Sequence, residues 1–114
     1  MKTLIAALAL AGLSAPLLAA PKAESAQECG IAADMAIVAR SLAEEEVHQP
    51  KAETIMARIY DVRGSERGQQ LMKEIVTAAY KNGQERTSQA FAEDLFTTCM
   101  KTGGNMDKVL GRRL

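Results

Sequence analysis

The sequence predicts an all-α fold: a small antiparallel four-helix bundle, running up-down-up-down, stapled by one disulfide and preceded by a cleaved signal peptide. Three observations lead there. Four stretches carry apolar residues at the 3.6-residue period of a helix, and none sustains the period-two alternation of a strand. The connections between them, near 48–50, 63–65 and 82–84, are short enough to demand antiparallel neighbours. Cys29 opens the first helix and Cys99 closes the fourth, two ends that such a bundle brings to one pole.

The leader is residues 1–20, MKTLIAALALAGLSAPLLAA. Lys2 supplies a positive start, Leu4 to Leu13 is uninterrupted apolar chain, and Ser14, Pro16, Ala19 and Ala20 supply the break and the small residues of a cleavage region. The apolar run is shorter than the ~20 residues a membrane span needs. Cleavage near Ala19 therefore leaves no stable membrane anchor and sends the chain to a bacterial periplasm or beyond. A polar lead at 21–25 follows and is expected to be flexible. The single helical domain is expected over 26–102, with 103–114 a tail that forms a short helix at 105–110.

The first helix is expected from about Ala26 to Val47, with Ser25 and Glu28 at the spacing of a capping box. Ile31, Met35, Val38 and Leu42 form its large apolar stripe, and Ala32, Ala36, Ala39 and Ala43 repeat that stripe one position later. Pro50 ends this helix and suits the first turn of the second, where a missing N–H costs nothing. Ala52, Ile55, Met56, Ile59 and Val62 face the core, Gly64 serves as the C-terminal stop and Ser65 caps the third helix. Leu71, Met72, Ile75, Val76 and Ala79 give the third helix its buried face, and Asn82-Gly83 ends it. The fourth begins near Gln84, carries Phe91, Leu95, Phe96 and Cys99, and stops at Gly103-Gly104, leaving Arg112 and Arg113 wet.

Two cysteines in an exported chain oxidise to each other. Closing the 70-residue loop between Cys29 and Cys99 stabilises the fold by about 4 kcal/mol on the chain-entropy model. A redox-active pair is disfavoured, because the spacing is not CxxC and a helix C-terminus destabilises a thiolate.

Composition narrows function mainly by exclusion. Formal net charge is +0, and loss of Lys2 makes it −1, so nothing draws the chain toward nucleic acid or anionic lipid. There is no Trp and the aromatic content is 4%, a poor basis for a carbohydrate cleft. Two stretches stand out as candidate sites. Glu44, Glu45 and His48 supply carboxylate and imidazole ligands for a metal, or an acid–base pair, if the first helix reaches His48 and sets Glu44 and His48 four apart on one face. The plainer reading has His48 offsetting three acids at a helix C-terminus. The segment 61–68 places Arg63, Ser65 and Arg67 around two Arg-Gly pairs, an arrangement able to hold an anion at a helix N-terminus, although helix punctuation explains Gly64 and Ser65 equally well. Gly68 has no role in punctuation and points to close backbone approach. Met100 and Met106 are the methionines expected at the surface; Met35, Met56 and Met72 lie on apolar stripes.

No HExxH, CxxCH or paired Glu-x-x-His pattern is present, so no cofactor is expected. No base is positioned for a Ser or Cys nucleophile. The expectation is a non-enzymatic protein whose partner is another protein, as an inhibitor or immunity-type protein would have. The alternative is a periplasmic stress chaperone that exposes apolar surface when acid protonates its carboxylates.

Overall fold

A computed structural model describes residues 22–81 and 86–111, and there the apolar periodicity becomes helix throughout. The helices are α1 (Ala26–Glu44), α2 (Gln49–Tyr60), α3 (Glu66–Lys81), α4 (Ser88–Lys101) and a short α5 (Asp107–Leu110). The expected leader, the Asn82-Gly83 stop, the start at Gln84, and Arg112 and Arg113 lie outside the described residues. No described helix is long and apolar enough to cross a membrane.

Capping sets the boundaries. Ser25 Oγ accepts from Glu28 N–H at the start of α1, as the capping box requires, but the Glu28 carboxylate accepts from Glu24 N–H at 2.8 Å, one residue beyond the cap. The expectation that the first helix runs to Val47 fails, because Glu46 takes a left-handed conformation with φ 61. Glu46 N–H bonds Ala43 C=O and Val47 N–H bonds Leu42 C=O, the paired bonds of a Schellman turn with glutamate where glycine is usual. The second helix likewise ends earlier than Gly64. Asp61 (φ 47) is its left-handed residue, a role that short polar side chains tolerate. Ser65 Oγ accepts from Gly68 N–H at 2.9 Å, so its capping role holds. Thr87 caps α4, with its Oγ1 accepting from Ala90 N–H.

The described residues form five packed helices, four of them long. The Cys29–Cys99 disulfide joins the start of α1 to the end of α4, and at the opposite end Arg40 Nε donates to Arg86 C=O at 3.2 Å. The neighbours, however, are not those of a square four-helix ring. α1 is central, packing most extensively on α4 and then on α3; α2 rests mainly on α3; α3 and α4 make little contact with each other. α5 touches both α3 and α4, and its flank delivers Met106 (1% exposed) and Leu110 (5%) to the core. Met106 is thus core, contrary to the surface position expected of it.

α1 enters the core with Ala32, Ala36 and Ala39 and also with Met35 (2% exposed), and Val38 and Leu42 pack partly buried against it. Ala32, Ala36 and Ala39 are fully buried, whereas Ile31 and Ile37 are each 41% exposed. Small side chains let the neighbouring backbones come close, so the helix turns its alanines inward and carries its isoleucines at the flanks. Ile59, expected on the core face of the second helix, is 55% exposed, because Ala52 and Met56 make the contact with α3 and α1.

The lead expected to be flexible is anchored. Ala23 is buried, and its N–H donates to Gly104 C=O at 3.0 Å. Gly104 (φ +104) lies so close that a Cβ there would sit 2.0 Å from Ala23 O. Only glycine fits both the conformation and the space.

Candidate functional site

The disulfide pole gathers the most polar chemistry. Arg67, near the start of α3, forms two parallel bonds to the Glu28 carboxylate at 2.9 and 2.8 Å, donates to Lys22 C=O at 2.9 Å, and pairs with Glu24 at 3.5 Å. These bonds hold the Glu28 carboxyl near pKa 2, the Arg67 hydrogen bonds being the largest cause and the Glu24 N–H the next. Beneath lie Cys29 and Cys99, 5.7 Å apart at Cα and both buried.

This arrangement separates the three residues of the expected anion loop. Arg67 turns away to Glu28, Arg63 pairs with the Asp61 carboxylate at 3.2 Å, and Ser65 caps α3. The three do not converge on one point. Gly68 does mark close approach, since a Cβ there would meet Ser65 Oγ at 3.2 Å and Val62 Cγ1 at 3.3 Å. The second expected cluster does not assemble on one helix face either. α1 stops at Glu44, Glu45 is its cap, and His48 is the exposed residue preceding α2, with no side-chain capping bond. Glu44 lies 3.9 Å from the buried Arg40 guanidinium. Among the described residues no group of three His, Cys, Asp or Glu side chains gathers as a metal site would.

Two tyrosines fasten the frame from outside. Tyr80 OH donates to Val47 C=O at 2.6 Å, tying the α1–α2 turn to α3. Tyr60 OH donates to Asp34 at 2.5 Å, and burial, then that carboxylate, raises its pKa above the ordinary phenol value.

An apolar opening lies elsewhere, along the seam of α1 and α4. It is a groove of about 490 Å³ with Ala33 and Ala92 as floor, Ile37 and Phe96 as walls, and Gln89 and Glu93 on the rim. Phe96 is 40% exposed, and Met100, one turn further along α4, is 48% exposed. Small residues on both helices leave the depression, and two large ones border it. Its chemistry is that of a seat for an apolar side chain beside one carboxylate. The spacing of α4 contained the signal: Phe96 is five residues from Phe91 and therefore off the Phe91–Leu95–Cys99 stripe, and Met100 continues that second stripe at i+4. What the sequence lacked was the identity of the neighbour, since Ile37 reaches Phe96 only through the α1–α4 pairing.

No family model matches this sequence, and neither a curated protein nor a solved structure matches it.

Proposed function

We propose that this protein is a small exported, non-enzymatic helical scaffold that acts by binding another protein, in the manner of an inhibitor or immunity-type protein in the periplasm. The observation that carries this reading is the α1–α4 groove, where Ile37 and Phe96 stay accessible on a fold otherwise tied at both ends. Large apolar side chains around small ones suit the anchoring residue of a partner. The disulfide supports the exported setting, because such bonds persist in oxidising compartments. The deciding experiment is capture from periplasmic extract with the wild-type protein beside a Phe96→Asp variant. One stoichiometric partner retained by the first and lost by the second is expected. Absence of any wild-type partner, or equal capture by both, overturns the reading.

The second reading is a periplasmic stress chaperone, favoured by the carboxylate latch at the disulfide pole. Protonating Glu28 weakens its bonds to Arg67 and to Glu24 N–H, and so loosens the lead that lies over the apolar surface around Ala23. Glu28 titrates near 2, so this release belongs to strong acid. Suppression of a model client's aggregation at pH 2 but not at pH 7 is expected from it; no suppression at either pH removes it.

A further inference from the structure

We propose that residues 22–24 form a lid over the Cys29–Cys99 disulfide, latched by Arg67. An external dithiol then reaches the disulfide by lifting this lid, not by unfolding the bundle. A cavity of about 220 Å³ abuts the bond, lined by both cysteines, by residues 23–26 and by the end of α4 with Gly103 and Gly104. Yet Cys29 is 2% exposed and Cys99 0%. There is room beside the disulfide but no open way to its sulfurs.

Two routes lead to them. One parts the start of α1 from the end of α4, and these two helices share the most extensive packing of the fold, so this route gives up a large part of the core. The other lifts residues 22–24, of which only Ala23 is buried. Ser25, held as the cap of α1 by Glu28 N–H, is the hinge. Four polar contacts among the described residues keep the lid down. Ala23 N–H donates to Gly104 C=O at 3.0 Å, and Glu24 N–H donates to the Glu28 carboxylate at 2.8 Å. Lys22 C=O accepts from the Arg67 guanidinium at 2.9 Å, and the Glu24 carboxylate lies 3.5 Å from it. Two of the four end on Arg67, and a third ends on Glu28, which Arg67 fixes by two parallel bonds. One side chain of α3 therefore latches the lid, and lifting it costs a few exposed polar contacts and one methyl group instead of a helix interface.

The chemistry behind the lid is thiol–disulfide exchange. A thiolate of the dithiol bonds to one cysteine sulfur as the Cys29–Cys99 bond breaks, and the other cysteine leaves as a thiolate and takes a proton from water. The second thiolate of the reagent then displaces the first cysteine, which is protonated in turn. The reagent closes to its own disulfide, and the protein gains two electrons and two protons. The first step requires a sulfur within reach, so its rate scales with the fraction of time the lid is open. The lifetime of the staple against thiols is thus set by Arg67 and its contacts, not by the stability of the whole fold. None of this rests on the partner-binding reading.

Reduction of the purified, oxidised protein by excess dithiothreitol, read by mass-tagging of the freed thiols, tests the proposal. Wild type should react at least about a hundredfold more slowly than an unhindered model disulfide. Arg67→Ala should react about tenfold faster than wild type, and Arg67→Lys, which keeps the charge but loses the parallel bonds, should fall between them. Met56→Ala opens a cavity under α2, where Met56 is fully buried and has no part in the lid. It should lower the melting temperature and leave the exchange rate of the folded protein unchanged. Equal rates for wild type and Arg67→Ala overturn the proposal. Acceleration of Met56→Ala to match Arg67→Ala overturns it as well, since exchange would then run through unfolding of the bundle.

Discussion

The two ends of this molecule are built differently. At one, the start of α1, the start of α3 and the end of α4 are joined by a disulfide, by a backbone fit between Ala23 and Gly104, and by Arg67 spread over Glu24, Glu28 and Lys22. At the other, the end of α1 turns on a strained glutamate, and hydrogen bonds from Tyr80 and Arg40 help hold the turns in place. The first end locks a chain covalently across 70 residues; the second is punctuation. The sequence features that most resembled a site, the Glu44–Glu45–His48 run and the 61–68 segment, are absorbed into these ends as turns, caps and ties. The accessible apolar chemistry lies between them, on the side of α1 and α4. Residues conspicuous in a sequence are often conspicuous because they end helices.

The contrast can be broken at four points. Replacing both Cys29 and Cys99 with Ala should have the largest effect, a loss of about 4 kcal/mol in chemical denaturation relative to the oxidised protein. Next, Gly104→Ala forces a Cβ to 2.0 Å from Ala23 O and should cost about 3 kcal/mol. It should also release the lead, seen as rapid amide exchange at Ala23. A loss under about 0.5 kcal/mol would show that the lead contributes little to this end.

The third point is acid. Glu28 is depressed from 4.5 to about 2 in the folded chain, so its contribution is complete above pH 4.5 and is lost as pH falls through about 2. Since Glu28 and Arg67 are both partly exposed, the effect should stay near or below about 1 kcal/mol. Glu28→Gln should flatten the stability profile between pH 4.5 and 2; an unchanged slope would mean that other carboxylates carry the acid response. The smallest effect sharpens the opposite end. Glu46→Gly relieves a left-handed glutamate and should raise stability by about 0.5 kcal/mol, the relief being partly offset by glycine's freedom in the unfolded chain. A loss there would show that the Glu46 side chain makes a contribution larger than its strain.

Much of the local structure was legible because its causes are local. Ser25 caps α1, Ser65 caps α3, Pro50 sits in the first turn of α2, and Leu71, Met72, Ile75, Val76 and Ala79 are all buried, as a 3.6-residue period requires. Cys29 and Cys99 were paired by counting and by topology. The helix ends were harder to read. Glu46 and Asp61 take left-handed conformations that their residue types do not announce, so both preceding helices end sooner than proline and glycine alone would place them. The candidate site was the least legible part, since a groove is a property of two helices and neither α1 nor α4 encodes its neighbour.

By itself, then, the sequence determined four long helices and the covalent tie, because hydrophobic period, caps and oxidation depend on spacing along the chain. Only the tertiary structure decided which side of α1 is core. Its alanines and Met35 face the core while Ile31 and Ile37 are left at the flanks, and α5 touches both α3 and α4, which make little contact with each other. That same packing buries Met106, draws Arg67 to a carboxylate 39 residues away, and leaves Ile37 and Phe96 lining an open groove. Close packing is a three-body matter here, and no one-dimensional pattern records which bodies meet.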